Sequence, residues 1–129
     1  QVEAVQDPWS IGTPAATVAA FCLQQTEFIT ATRQRVALER ARMRTALTPA
    51  FEVSPSAAPF LLCRPRRPSM IGIDPADPVG GLCRRAAAAD IAIRDARSFV
   101  GYDEHIRIAV RRPHENDQLL SVLVGDAGG

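Results

Sequence analysis

Two short runs of alternating residues, one on each side of a polar loop, constrain the fold most. Within DIAIRDARSFVGYDEHIRIAV, residues 90–110, aliphatic residues occupy every second position before and after the loop. This period is typical of strands with one aliphatic face. The aliphatic positions are Ile91, Ile93, Ile106, Ile108 and Val110. Because successive side chains of a strand point to opposite faces, Arg94 and Arg107 are predicted to lie on the face away from the core.

These two arginines define a candidate binding site. Their neighbours on the same predicted face, Ala92 and Ala109, are small and leave room above the sheet. Guanidinium groups bind carboxylate and phosphate oxygens bidentately, so two converging arginines suit such an anion. Alternation alone favours a plainer interpretation, since most strand arginines are solvated at the surface. The pattern alone therefore favours solvated surface arginines, and an anion-binding site is the alternative hypothesis.

Length and composition indicate one folded domain. The chain has 129 residues, of which 47% are hydrophobic and 22% charged. Such a composition is typical of a globular protein. No run of about 18 apolar residues occurs, and no signal peptide is recognisable, so we expect no membrane partner. The net charge of +1 gives no general reason to expect binding to nucleic acid.

Neither the cysteines nor the histidines predict a reactive centre. Cys22, Cys63 and Cys83 are odd in number and lack metal-ligand spacing, and their apolar or helical surroundings predict buried thiols. We therefore expect a reducing, cytoplasmic environment. His105 and His114 have no partner at ligand spacing, so no metal site is predicted. No serine has a recognisable base, and no catalytic residue is assigned to this chain.

The basic residues are unusual in kind. All fifteen are arginine, and the chain contains no lysine. It begins with Gln1, so we expect it to be part of a longer translation product. Arg64, Arg66 and Arg67, interleaved with prolines, are the nearest approach to an RNA-binding patch. Because no aromatic residues are interleaved with them, we expect no nucleic-acid partner.

The remaining pattern predicts the order helix, strand, helix, strand, strand, helix. A helical pattern runs from Pro14 to Leu47, which predicts either one long connecting helix or a break near residues 24–26, and Pro113 begins the last helix. Strands are predicted at residues 51–53 and 60–63, an irregular stretch at 70–81, and a short helix at 82–89. Two apolar stripes are predicted to face the core: Phe21, Phe28, Val36, Met43 and Leu47, and then Asn116, Leu119, Leu120 and Leu123. The fold class is α/β (α+β-like), with a small mixed or antiparallel sheet, helices packed on one face, and a long connecting helix before it.

The best-patterned segments also resemble a known family. IAIRDARSF, then Gly101, HIRIAVR and PHENDQLL resemble the C-terminal end of fold-type I aminotransferase-like enzymes that use pyridoxal phosphate. The nearest members are threonine-phosphate decarboxylases of cobalamin biosynthesis and histidinol-phosphate aminotransferases. Upstream, DPWSIGTPAATVAAFCL is similar to the stretch that follows the cofactor-binding lysine region in these enzymes.

The resemblance implies an architecture and a set of site residues. The family is dimeric, with a large domain that carries the cofactor and a small C-terminal domain that closes over the substrate. Residues 1–13 would be the approach segment from the large domain, and 14–129 the small domain. By position, Arg107 matches the arginine that binds a substrate acid group, and Arg94 the second substrate-contacting arginine of the phosphorylated-substrate branch. Trp9 and Ser10 would border the active-site entrance.

The chain also departs from the family. Asp90 stands where relatives usually have glycine, and Val100 replaces the usual proline before Gly101. Without a lysine amine the chain forms no Schiff base, so we expect it to be inactive alone, with pyridoxal phosphate only in the intact enzyme. The expected partners are a large domain, a phosphorylated small-molecule substrate and a second copy of the enzyme. The alternative is a stand-alone, non-catalytic binding or interaction module with the same fold.

Overall fold

The structure, a computed structural model, describes residues 11–125. Within that range the chain forms four α-helices, one short 3-10 helix and four strands. In chain order these are α1 Thr13–Leu23, α2 Thr26–Leu47, β1 Phe51–Val53, β2 Phe60–Pro65, the 3-10 helix Pro68–Ile71, α3 Pro78–Ala87, β3 Arg94–Asp95, β4 Ile106–Ala109 and α4 Pro113–Val124.

The four strands form one antiparallel sheet in the order β1-β2-β4-β3. The pairing of β2 with β4 places Leu61 opposite Ile108, and the pairing of β3 with β4 places Arg94 opposite Arg107. Strands and helices are therefore combined as the sequence predicts, and the predicted fold class is confirmed. The choice left open between a mixed and an antiparallel sheet is resolved in favour of the antiparallel one.

One face of the sheet is covered by helices. The buried cluster contains residues from the sheet and from three helices. From or beside the strands it includes Phe51, Val53, Leu61, Cys63, Ile106, Ile108 and Val110. From α2, α3 and α4 it includes Met43, Leu47, Val79, Leu82, Leu119 and Leu123. The opposite face, which we call the open face, carries Phe60, Leu62 and Arg64 of β2 and Arg107 and Ala109 of β4. All five keep some solvent exposure, whereas the residues alternating with them are buried.

Of the two alternatives for the long helical pattern, one continuous helix or a break near residues 24–26, the structure has the break. α1 ends at Leu23 and α2 begins at Thr26. The chain divides into two compact units, residues 1–34 and 35–129, so the boundary falls inside α2. The predicted single apolar stripe is wrong in its first part, because Phe21 and Phe28 are 63% and 68% exposed. Phe21 lies in α1, and a helix break changes the phase of the turn, so it need not share a face with residues of α2. Phe28 lies in α2 itself, in the part of that helix that belongs to the first unit.

Helix α3 begins earlier than predicted, and this corrects the irregular stretch assigned to residues 70–81. Pro78 occupies the first turn, and the Asp77 carboxylate accepts a hydrogen bond from the Gly80 amide at 3.0 Å. A side chain at Gly80 would collide with that carboxylate, and one at Gly81 would meet Ile73. The two glycines therefore serve close packing inside a helix, not the turn that a Gly-Gly pair usually indicates.

Strand β3 is shorter than predicted and begins at Arg94, not Ile91. The end of α3 is extended by a turn in which the Ile91 amide donates to the Ala86 carbonyl at 2.9 Å. In that turn Asp90 adopts a left-handed conformation with φ of 57°. The next residues leave the turn without pairing to β4, although Ile91 and Ile93 still pack against the core.

Candidate anion-binding site

Arg94 and Arg107 lie directly opposite each other on adjacent antiparallel strands. Residues on either side of Arg107, Ile106 and Ile108, are 0% and 1% exposed and point into the core. Side chains alternate across a strand, so Arg107 and its partner Arg94 project from the open face. Both arginines therefore lie on the face away from the core, as the alternation predicts. We call these two residues the arginine pair.

Two phenylalanines contact the arginine pair. The Phe99 ring centroid lies 5.8 Å from the Arg94 guanidinium carbon and 5.9 Å from that of Arg107. Phe60 of β2 lies 5.1 Å from the Arg107 guanidinium carbon. A guanidinium group over an aromatic ring is attracted by the ring's π-electrons, and this contact does not use up its N–H donors. Such donors are available to a planar or tetrahedral anion.

The arginine pair has no acidic partner within residues 11–125. Arg94 donates a hydrogen bond to the Ser98 hydroxyl at 3.3 Å, and no carboxylate of the described chain lies within ion-pair distance of Arg94 or Arg107. An open cavity of about 680 Å³ beside Arg94 is also lined by Ser98, Asp95, Arg97 and residues of α3, but not by Arg107. Two positive charges side by side with free donors favour the binding of an anion.

The neighbouring carboxylates form hydrogen bonds and ion pairs with other arginines. Asp95 follows Arg94 but points to the opposite face, where it accepts hydrogen bonds from Arg97 at 2.6 Å and 2.9 Å. Arg97 also reaches Asp77 at 3.2 Å, and Arg84 pairs with Asp77 at 3.0 Å. Hydrogen bonds from Arg97 hold the pKa of Asp95 below its usual value, and those from Arg84 and the Gly80 amide do the same for the pKa of Asp77. These carboxylates form their ion pairs with Arg97 and Arg84, and the arginine pair is left without an ion-pair partner among residues 11–125.

The basic run at residues 64–67 has internal contacts. Arg64 pairs with Glu52 at 2.5 Å and with Glu104 at 3.1 Å, and its hydrogen bond lowers the pKa of Glu52. The Arg66 guanidinium donates to the backbone carbonyls of Thr48 and Phe51 at 3.2 Å and 3.1 Å. Two of the three arginines in this run therefore connect β2 to β1 and to the end of α2.

The cysteines differ from one another. Cys63 is buried, and burial raises the pKa of its thiol to about 12. Cys83 is half-buried, and burial also raises the pKa of this thiol. Cys22 is exposed, so the prediction of three buried thiols is wrong for this residue. Its apolar neighbours lie on α1, no residue of which is buried.

Some predicted features lie outside the site or outside the described range. Trp9 and Ser10 fall within residues 1–10, which lie outside the described residues. Among residues 11–125 no cluster of histidine, cysteine and acidic side chains is arranged to hold a metal ion. None of the helices described there is both long and apolar enough to cross a membrane.

Sequence reasoning missed three contact residues of the site, Phe60, Ser98 and Phe99. Phe99 lies in the loop between the two arginine strands, and a phenylalanine in a polar loop is a signal that could have indicated it. Phe60 precedes an apolar run and looks like an ordinary strand residue. Its contact with Arg107 depends on the β2–β4 register, which the sequence does not define.

The fold occurs within enzymes of a known class. The crystal structure of the histidinol-phosphate aminotransferase from Clostridium acetobutylicum matches this chain with a TM-score of 0.73 and 28% sequence identity. The match covers 96% of this chain and 36% of that one. The four helices and the antiparallel sheet therefore form a structural unit found inside an aminotransferase.

Sequence comparison gives the same relatives. Histidinol-phosphate aminotransferase 1 of Archaeoglobus fulgidus is 33% identical over 120 residues, covering 93% of this chain and 34% of the relative. Threonine-phosphate decarboxylase of Salmonella typhimurium is 31% identical over 121 residues, covering 92% and 30%. No family model matches the chain. The chain is homologous to part of these enzymes, which confirms the resemblance seen in its sequence, and it spans about a third of their length.

Pyridoxal phosphate does not fit this chain as a covalently held cofactor. The 129 residues contain no lysine, so the chain has no side-chain amine for a Schiff base. The arginine pair suits an anion and does not replace that amine. The chemistry available here is the binding and orientation of an acidic group.

Proposed function

We propose that this chain is the C-terminal, substrate-binding small domain of a pyridoxal-phosphate-dependent aminotransferase or decarboxylase. The observation that carries the proposal is the arginine pair, two facing and uncompensated guanidinium groups on the open face. The homologous enzymes are named for histidinol phosphate and threonine phosphate. We therefore propose a phosphorylated amino acid or amino alcohol as the substrate.

In this proposal Arg107 holds an acid group of the substrate, and Arg94 holds a second anionic oxygen from the adjacent strand. Guanidinium groups stay charged at any physiological pH, so the pair binds and orients the substrate without exchanging protons with it. The covalent chemistry belongs to a large domain that carries the lysine, since this chain has none. Residues 1–13 would lead from that domain into the small domain of residues 14–129, in a homodimer of the cytoplasm.

The solvent exposure of the arginine pair is consistent with a site that is completed by another domain. Arg94 is exposed, and Arg107 is only half-buried. Charge-assisted hydrogen bonds are weaker when water competes for the donors, so this surface needs a covering element to bind tightly. A large domain that closes over the open face would exclude that water. The uncovered arginine pair is therefore what a substrate-binding half-site is expected to look like.

The proposal is tested with the protein encoded by the whole reading frame that contains this chain. The purified protein is loaded with pyridoxal phosphate and assayed for decarboxylation of threonine phosphate and for transamination of histidinol phosphate. The R107A variant is expected to raise KM for the active substrate at least tenfold, because a hydrogen-bonded charge pair is lost. R44A, which removes an exposed arginine of α2, is the matched control and should leave KM unchanged.

Two results would contradict the proposal. A reading frame without an upstream lysine-bearing domain would favour the stand-alone binding module. Full activity with an unchanged KM in R107A would show that the arginine pair does not contact the substrate.

A further inference from the structure

The arginine pair poses an electrostatic problem in the absence of an anion. Arg94 and Arg107 are directly opposite each other, and like charges in this position destabilise a pair of strands. No carboxylate of residues 11–125 compensates them. Flexible side chains with this charge would turn away from each other into solvent. A contact that holds both guanidinium groups is needed if they are to stay near one another.

Phe99 makes such a contact with both arginines. Its ring centroid lies within 6 Å of the guanidinium carbon of each, at 5.8 Å and 5.9 Å. Its chain neighbour Ser98 accepts a hydrogen bond from Arg94 at 3.3 Å. Phe60 contacts only Arg107. Phe99 is therefore the aromatic residue of the described chain that joins the two arginines.

The position of Phe99 is set by the backbone of its loop. The Phe99 amide donates to the Ala96 carbonyl at 2.9 Å, and the Ala96 amide donates to the His105 carbonyl at 3.1 Å. Ala96 is fully buried, so this end of the loop is anchored in the core. The Phe99 carbonyl in turn accepts from the Tyr102 amide at 3.2 Å. The backbone at Phe99 is therefore fixed without the arginines, while its side chain remains 42% exposed.

We propose that Phe99 is a positioning residue of the anion-binding site. Its ring attracts the guanidinium groups of both Arg94 and Arg107 and keeps them near one another, so that the N–H donors of both serve one phosphorylated or carboxylated ligand. This inference rests on the proposed function, because it concerns how the same site is organised. Side chains that are ordered before binding do not lose freedom when the ligand arrives, and this raises affinity.

The proposal is tested by comparing F99L, F99Y and V100A with the wild-type chain. F99L removes the aromatic ring and keeps an apolar side chain, whereas F99Y keeps the ring. V100A changes the adjacent loop residue, whose side chain is fully exposed, and is the matched control. Thermal melts first establish that the variants are folded.

The first measurement is an NMR spectrum of the arginine Nε–Hε groups without ligand. Aromatic ring currents shift the resonances of protons lying over a ring, so Arg94 and Arg107 should both be shifted in the wild-type chain. F99L should move both resonances towards the positions of the other exposed arginines, and F99Y should not. Resonances of the pair that F99L leaves in place would overturn the proposal.

The second measurement is titration with inorganic phosphate. F99L should weaken phosphate affinity about five- to tenfold, while F99Y and V100A stay within twofold of wild type. Affinity unchanged in F99L but lost in R107A would reject the positioning role and leave the proposed function intact. Affinity unchanged in R107A as well would reject the proposed function. Equal losses in F99L and V100A would show a general effect of the loop and would also overturn the inference.

Discussion

The conformation of Asp90 illustrates how much one residue can cost the fold. Its φ of 57° lies in the left-handed region, which is unfavourable for residues with a Cβ and costs glycine nothing. The turn that requires it closes α3 through the hydrogen bond from the Ile91 amide to the Ala86 carbonyl. This is the position where the family resemblance leads us to expect glycine. The structure thus gives a physical reason for that preference.

We expect Asp90→Gly to stabilise the chain. Relief of the left-handed strain should exceed the entropy cost of glycine and raise the free energy of unfolding by about 0.5–1 kcal/mol. The measurement is urea denaturation followed by circular dichroism. The control is Ala87→Gly in the last turn of α3, where glycine should lower stability by about 0.5–1 kcal/mol. A D90G variant that is less stable than the parent chain would contradict the assigned backbone conformation.

The three thiols should react in a fixed order. Cys22 is exposed, Cys83 is half-buried, and Cys63 is buried with the pKa of its thiol raised to about 12. Since the thiolate is the reactive form, alkylation of the native chain should modify Cys22 first, Cys83 slowly and Cys63 only after unfolding. Peptide mass spectrometry after timed iodoacetamide treatment measures this order. Rapid modification of Cys63 in the native chain would show that β2 is not buried as described.

At the scale of the elements, Asn116 connects α4 to the rest of the fold. It is 1% exposed, and all its side-chain groups have partners. Its oxygen accepts from the Arg111 amide at 2.9 Å, and its nitrogen donates to the Arg111 carbonyl at 3.0 Å and to Glu39 at 2.9 Å. One side chain thereby joins the start of α4, the chain that leaves β4, and α2.

We expect Asn116→Ala to lower the free energy of unfolding by about 2–3 kcal/mol. The change leaves the amide of Arg111 and the Glu39 carboxylate without their buried partner, and unmade hydrogen bonds of this kind are costly. Thermal or urea denaturation measures the loss. Gln118→Ala is the control, because Gln118 is an exposed residue of the same helix and should change stability by less than about 0.5 kcal/mol. Equal effects of the two changes would contradict the described role of Asn116.

Hydrogen-bonded carboxylates should make the fold sensitive to acid. Hydrogen bonds from Arg42 and then Asn116 lower the pKa of Glu39, and hydrogen bonds from Arg97 lower the pKa of Asp95. A carboxyl whose folded pKa is lowered binds more protons in the unfolded chain. Its contribution is therefore present above the ordinary values of 4.5 for Glu39 and 3.8 for Asp95, and it is lost as the pH falls through the lower folded values.

This predicts a melting temperature that is steady near neutral pH and falls below about pH 4.5. Glu39→Gln should flatten that fall, because it removes one of the groups that take up a proton on unfolding. Glu27→Gln, at an exposed position in the first turn of the same helix, is the control. Differential scanning calorimetry across the acid range provides the measurement. A fall of the same steepness in E39Q and the parent chain would contradict the assignment to Glu39.

The whole molecule shows which features the sequence could predict. The alternation around Arg94 and Arg107 defined the face on which both residues lie, because a strand leaves a side chain only two directions. The spacing of Asn116, Leu119 and Leu123 defined the buried face of α4 in the same way. Local patterns of this kind depend on geometry within one element.

Other features depend on contacts between elements, and there the sequence was misleading. Gly80 and Gly81 look like a turn, yet they lie in α3, and glycine is needed there because Asp77 and Ile73 approach too closely for a side chain. The pattern of Ile91 and Ile93 suggested a full strand, but pairing with β4 begins only at Arg94. The contact of Phe99 with both arginines likewise depends on a loop folding back over the sheet. Register and close approach have no local signature.

The central claim is that Arg94 and Arg107 together bind an acidic group of a phosphorylated substrate. The most direct test is isothermal titration of the protein encoded by the whole reading frame that contains this chain with O-phospho-L-threonine, comparing wild type, R94A, R107A and the control R44A. We predict that each change in the pair weakens binding about 10- to 100-fold, as expected for a hydrogen bond to a charged group, while R44A binds like wild type. Binding that is the same in wild type, R94A and R107A, or absent in the folded wild-type protein, would contradict the claim.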